Sequence, residues 1–130
     1  MPRTYRLLAA LYAVLVIVLS SWPGVRLPNV GTSHLDKILH FGQYAVLAFL
    51  VARGWGLSPP RRRRLRSGIL VVVLLVFAAV DEYHQGWIPG RDPDPQDFLA
   101  DAIGIVLGFG IGLSGILRRR ARHRSEADSP

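Results

Sequence analysis

Long runs of apolar residues dominate the chain and form four segments, at about residues 7–22, 38–57, 67–86 and 98–117. Each approaches the roughly 20 residues that an α-helix needs to cross a hydrocarbon core of about 30 Å. The third segment reaches that length only if Asp81 to Gln85 belong to its helix. The pattern therefore predicts an all-α, polytopic membrane protein whose four transmembrane helices form a small bundle.

The sequences between the apolar runs contain proline and glycine, which favour turns and helix ends. They are PGVRLPNVGTSHLD, SPPRRRRLR and GWIPGRDPDP, and we expect loops there. A chain of 130 residues is expected to form one domain. We assign residues 1–117 to the transmembrane domain and residues 118–130 to a basic cytoplasmic tail that is expected to be disordered.

The distribution of lysine and arginine predicts the orientation. If the N-terminus is inside the cell, three of the 16 basic residues lie outside (Arg26, Lys37 and Arg91), which leaves 13 inside. This is the positive-inside pattern, so we expect a multi-pass protein of the cytoplasmic (inner) membrane with both termini in the cytoplasm. Arginines at the ends of apolar runs account for the net charge of +7 without nucleic-acid binding.

The first apolar segment has one alternative interpretation, a cleaved signal peptide with MPRTYR as its basic region. The sequence LSSWPG that follows the apolar run lacks a small-x-small cleavage site. Cleavage would also leave a remainder of three helices. We therefore favour a transmembrane helix.

Charged residues interrupt the apolar pattern at the start of the second and fourth segments. SHLDKILH places Ser33 as an N-cap and Asp36 three residues later, and DPQDFLAD places Asp94 and Asp97 in the same way. The same spacing pairs His40 with Asp101, which indicates either a duplicated hairpin or coincidence. Asp36, Asp94 and Asp97 can be explained as helix caps alone.

His40 and Asp101 are more informative than the caps because each lies about 10 Å inside the start of its helix, at 1.5 Å per residue. Ionisable groups at such depth normally face a bundle interior or a wet cavity. We expect them to meet the polar residues of the third segment in a cavity near the outer leaflet. This cavity is either a ligand site or a structural ion-pair network. The predicted site residues are Asp36, His40, Asp81, Glu82, Gln85, Arg91, Asp97 and Asp101.

The chemistry available to this set is acid–base and electrostatic. Glu82, His40 and Asp101 are the candidate catalytic residues, and Arg91 could bind an anion. The chain has no cysteine and no His-Glu-x-x-His spacing, so we predict neither a metal nor another cofactor. The residues that could nevertheless hold a divalent ion are His40, His84, Glu82 and Asp101.

Small residues recur on one face of the fourth segment. Gly104, Gly108 and Gly112 form two overlapping G-x-x-x-G steps, which suit close helix packing within a chain or in a homo-oligomer. A transporter, which four helices would form only as an oligomer, is a further possibility. Lys37 is expected at the outer rim, in solvent or beside lipid phosphate.

Three motifs resemble those of the VanZ-like membrane proteins. DKILH resembles their D-K-x-x-H, DEYHQ their D-E-x-x-Q, and GRDPDPQDFLADAIGIVLG their G-R-x-x-x-x-x-D-x-x-x-N-x-x-G-x-x-x-G. Asp101 stands where that family usually has asparagine. The matching positions are Asp36, Lys37, His40, Asp81, Glu82, Gln85, Arg91, Asp97, Gly104 and Gly108.

The resemblance implies a role in protection of the cell envelope or against glycopeptide antibiotics such as teicoplanin, which carries a lipid tail. Our first functional hypothesis is therefore an outer-leaflet binding protein for a membrane lipid or for a lipid-linked or lipidated ligand. The second is a membrane-embedded hydrolase or transferase that acts on a lipid or an envelope precursor.

The predicted topology can be tested with reporter fusions. A reporter fused at residue 60 should behave as cytoplasmic and one fused at residue 90 as extracytoplasmic, because the arginine-rich loop stays inside. The opposite pattern would overturn the orientation.

Overall fold

The computed structural model describes residues 2–23, 33–56, 60–91 and 93–127. These residues form four α-helices and no strand, which confirms the all-α prediction. The helices are α1 (Pro2–Ser20), α2 (Ser33–Trp55), α3 (Pro60–Gln85) and α4 (Pro95–Ala127).

The helix boundaries follow local signals in the sequence. Asp94 caps α4, since its Oδ1 accepts a hydrogen bond of 2.8 Å from the backbone N–H of Gln96. Pro95 occupies the first position of that helix, where no N–H donor is needed. The cap predicted at Ser33 involves a side chain outside the described residues.

The C-terminal segment differs from its prediction. The sequence predicts disorder from residue 118, whereas α4 continues to Ala127. Arginine and alanine, which are frequent in this segment, have high helix propensity and allow the helix to continue past its apolar part.

Three helical segments are long and apolar enough to cross a membrane, namely Pro2–Ser20, His34–Trp55 and Pro95–Leu117. These helices are those of a membrane protein. Of the four predicted spans, three therefore meet this criterion and α3 does not. The apolar part of α3 lies between arginines at its start and Asp81 and Glu82 near its end. Asp81 to Gln85 are nevertheless helical, as the third segment requires.

The most extensive contact joins α2 and α4, which lie parallel at very short distance. A Cβ atom on Gly104 would meet the carbonyl oxygen of Phe41, and one on Gly108 would meet that of Ala45. The glycine face of α4 therefore packs within the chain, against α2. The homo-oligomer predicted through this face would need the same surface, which α2 occupies.

The other two helices flank this pair. α1 packs mainly on α2, and α3 packs mainly on α4. At the arginine-rich end, Arg6 donates a 2.9 Å hydrogen bond to the carbonyl of Gly54 and lies over the ring of Trp55. The buried core consists of Val16, Tyr44, Leu47, Ala48, Ala52, Leu74, Ala78, Ile105 and Phe109.

Because α2 and α4 are in close contact, we expect substitutions of two nearby glycines of α4 to differ strongly in their effect on stability. Gly108→Ala should lower the free energy of unfolding by about 1–3 kcal/mol, because the new methyl group collides with backbone. Gly110→Ala is the matched control, since nothing lies within 4 Å of its added Cβ. Both can be measured by thermal unfolding in detergent, and equal stability of the two variants would contradict the packing role.

Candidate functional site

Polar side chains collect at the end of the bundle opposite Arg6 and Trp55, which we call the polar end (Asp36–His40, Asp81–Gln85, Arg91 and Asp94–Asp101). At its rim, Lys37 Nζ lies 2.8 Å from Asp94 Oδ2 and 3.1 Å from Asp97 Oδ1. The Lys37 ammonium beside Asp94, together with the Gln96 N–H, holds the pKa of that carboxyl below its usual range. These ion pairs join the first turns of α2 and α4.

One turn deeper, His40 and Asp101 form the next contact between the same helices. His40 Nδ1 lies 3.1 Å from Asp101 Oδ1, and Asp101 is 1% exposed. The two helices run parallel with almost constant register, so positions 61 residues apart become neighbours. Because of this register, His40 and Asp101, which occupy equivalent positions of the repeated spacing in the sequence, lie next to each other in space.

Asp81 is the most heavily hydrogen-bonded carboxylate of the polar end. Its Oδ2 accepts from Tyr44 Oη at 3.0 Å and lies 2.8 Å from Ser20 Oγ, which also contacts the carbonyl of Val16. Gln85 Nε2 lies farther away, at 3.5 Å. These contacts tie α1, α2 and α3 together and satisfy a buried charge.

Sequence reasoning missed Ser20 and Tyr44. Both lie in apolar runs, where a single hydroxyl-bearing residue is compatible with an ordinary membrane helix. The available signal was weak: Tyr44 follows His40 by four residues and therefore shares its helix face.

A tight turn positions Arg91. The backbone N–H of Arg91 donates to the carbonyl of Ile88 at 3.1 Å, and Gly90 between them has a φ of 88°. Proline at the second and glycine at the third position define a type II turn. Arg91 Nη1 then donates to Gln85 Oε1 at 2.7 Å. No described carboxylate lies within ion-pair distance of its guanidinium.

The two oxygens of Glu82 differ in their surroundings. Oε1 accepts a 2.6 Å hydrogen bond from the backbone N–H of Asp94. Oε2 is buried and has no hydrogen-bond partner among the described residues. An unsatisfied buried carboxylate oxygen is costly, so this atom is available to accept a hydrogen bond or to bind a cation.

The polar end contains two groups of possible cation ligands. One ligand atom from each of His40, Glu82 and Asp101 lies within 4.8 Å of the others, and a second group contains Asp36, His40 and Asp97. His84, which the sequence added to the possible set, belongs to neither described group.

A cleft of about 500 Å³ leads from the polar end along α1 and α2. Ser20, His40, Gln85 and Arg91 line its polar part. Its apolar part includes Leu19, Ile38, Leu39 and Val46, whose side chains are all exposed.

The structure thus brings all eight predicted site residues to one end of the bundle, and their functional role stays a prediction. Four of them are buried carboxylates, as expected for a cavity, namely Asp81, Glu82, Asp97 and Asp101, whereas Asp36 is exposed. Asp94 caps α4 and also pairs with Lys37, whereas the side chain of Asp97 contacts the same lysine and the N–H that it would accept as a cap, that of Asp94, is donated to Glu82.

These features define an all-helical membrane protein with a polar cluster at one end of its bundle. The chain belongs to the VanZ/LLP1 family, whose sequence model matches residues 4–118. No curated protein and no solved structure gives a significant match.

The contacts of Asp81 predict that Tyr44 stabilises the polar end. Tyr44→Phe removes a donor to a buried carboxylate and should lower the free energy of unfolding by about 2 kcal/mol. Tyr83→Phe serves as control, because Tyr83 is 66% exposed. Unfolding in detergent measures both, and unchanged stability of Tyr44→Phe would show that its hydroxyl contributes nothing.

Proposed function

We propose that this VanZ-like protein binds a lipid-linked or lipidated ligand at the outer leaflet and thereby protects the cell envelope, including against glycopeptides of the teicoplanin type. The observation that carries the proposal is the cleft. Its apolar walls end at a polar group that contains an arginine, as an amphipathic ligand requires.

The apolar part of the cleft suits an acyl or prenyl chain. Leu39 and Val46 line it and are exposed, so in a bilayer they face lipid and not the protein core. A chain lying there would exchange one hydrocarbon environment for another at little cost. The affinity must therefore come mainly from the polar end and from shape.

Arg91 is the group best suited to bind the head of such a ligand. Its guanidinium offers five N–H donors, and one of its nitrogens is held by Gln85. The remaining donors can form paired hydrogen bonds with a phosphate or a carboxylate. The type II turn fixes the backbone of Arg91, which reduces the entropy lost on binding.

The outer-leaflet location depends on the predicted orientation. The polar end lies opposite the arginine-rich start of α3, which the positive-inside pattern assigns to the cytoplasm. It would then face the leaflet where lipid-linked wall precursors and lipid-tailed antibiotics are encountered. The same argument supports a multi-pass protein of the inner membrane.

A membrane-embedded hydrolase or transferase is the second candidate, and the His40–Asp101 contact favours it. A carboxylate beside a histidine can orient the ring and stabilise its protonated form. His40 also lines the cleft. Glu82 and Asp101 would support it, with Arg91 stabilising an anionic group.

Binding can be tested by native mass spectrometry of the full chain with a polyprenyl phosphate as probe. Arg91→Gln should weaken binding by about tenfold or more, because a charge-assisted hydrogen bond is lost. Arg64→Gln is the control, since Arg64 is exposed at the opposite end of the bundle. Binding of inorganic phosphate alone to the same extent would exclude a role for the lipid chain.

The apolar part has its own matched pair. Leu39→Gln should weaken binding of the same probe, whereas Leu107→Gln should not, although the two leucines are 52% and 51% exposed.

In cells, the wild type should improve survival with teicoplanin more than with a glycopeptide that lacks the acyl chain. Equal effects of Arg91→Gln and Arg64→Gln would refute the proposed site, and turnover of the probe that depends on His40 would favour the enzyme.

A further inference from the structure

We propose that His40, Glu82 and Asp101 form a binding site for one divalent transition-metal cation of the Zn²⁺ or Mn²⁺ type, buried beneath the rim of the polar end. The site is independent of whether the cleft binds a lipid. It rests on the geometry of three side chains from three different helices and on one unpartnered oxygen.

The three side chains are spaced as cation ligands. One ligand atom of each lies within 4.8 Å of the other two. His40 Nδ1 and Asp101 Oδ1 are 3.1 Å apart, near the roughly 3.3 Å that separates two ligands of a tetrahedral ion with bonds of about 2.0–2.1 Å. Small rotations of side chains would bring all three to an ion.

The unpartnered oxygen of Glu82 independently indicates a ligand. Glu82 is 8% exposed, its Oε1 is fixed by the Asp94 N–H, and its Oε2 has no hydrogen-bond partner among the described residues. Because the Asp94 N–H holds Oε1 in place, the carboxylate is already oriented to bind a ligand through Oε2. A bound cation would satisfy it.

The charge balance of the polar end also favours a cation. Lys37 is already paired with Asp94 and Asp97 at the rim, and Arg91 is bonded to Gln85. Asp81, Glu82 and Asp101 are all buried. Among the described residues, His40 is the one basic side chain in contact with any of these three carboxylates, and it is positive only when protonated. A divalent ion would stabilise the ionised form of these carboxylates and offset their negative charge.

The donor set selects the kind of ion. One imidazole nitrogen with two carboxylate oxygens suits Zn²⁺ or Mn²⁺, whereas Mg²⁺ and Ca²⁺ prefer oxygen ligands alone. The second group, Asp36, His40 and Asp97, is a weaker candidate. Asp36 is exposed, and Asp97 is already paired with Lys37.

The test uses the purified full chain, stripped with a chelator and then titrated with Zn²⁺, Mn²⁺ or Mg²⁺ alone. Calorimetry and thermal unfolding should show one Zn²⁺ or Mn²⁺ per chain, a raised melting temperature and weaker binding of Mg²⁺. Glu82→Gln and Asp101→Asn should each weaken binding by about tenfold or more, the scale of loss seen when coordination is disturbed. Co²⁺ absorption provides a second readout of the ligand set.

Asp36→Asn and Asp94→Asn are the matched controls, since each removes a nearby carboxylate that is not in the proposed set, and both should bind like the wild type. Asp101→Asn keeps the shape of the side chain, so it decides the question even if Glu82→Gln fails to fold. Failure of the wild type to bind either transition metal would overturn the proposal. So would a loss in Asp36→Asn as large as that in Asp101→Asn.

Discussion

The close parallel contact between α2 and α4 is the constraint on which the rest of the structure depends. Glycines at 104 and 108 let the two backbones approach until a single methyl group would not fit between them. This contact fixes the register, and the register decides which polar residues meet. Lys37 reaches Asp97, and His40 reaches Asp101, because the helices start at the same end and keep the same offset.

The parallel arrangement of α2 and α4 brings like partial charges together, and the polar residues compensate them. Two N-termini with positive partial charge lie side by side, and acidic residues in the first turns compensate both. Those acids then need cations of their own. Lys37 serves the rim, while the deeper carboxylates depend on hydrogen bonds from Ser20 and Tyr44, on His40 and, in our proposal, on a bound ion.

The two proposals concern adjacent parts of one architecture. His40 lines the cleft and also belongs to the cation group, so a bound ion would place positive charge near the head of an amphipathic ligand. Arg91 approaches the same region from the α3–α4 turn. Anchoring by α1, α2 and α3 at Asp81 keeps these groups at one level of the bundle, which is the pre-organisation that binding requires.

Much of this could be predicted from the sequence because it is encoded locally. Apolar run length determined the helices, Asp94 and Pro95 marked the start of α4, and acids within apolar runs indicated the polar end. Other features depended on distant contacts. Tertiary structure alone shows that the glycine face of α4 packs against α2. It also shows that Ser20 and Tyr44 contact Asp81, and that one oxygen of Glu82 has no hydrogen-bond partner among the described residues. Each depends on which side chain of another helix lies opposite, and no local pattern specifies that.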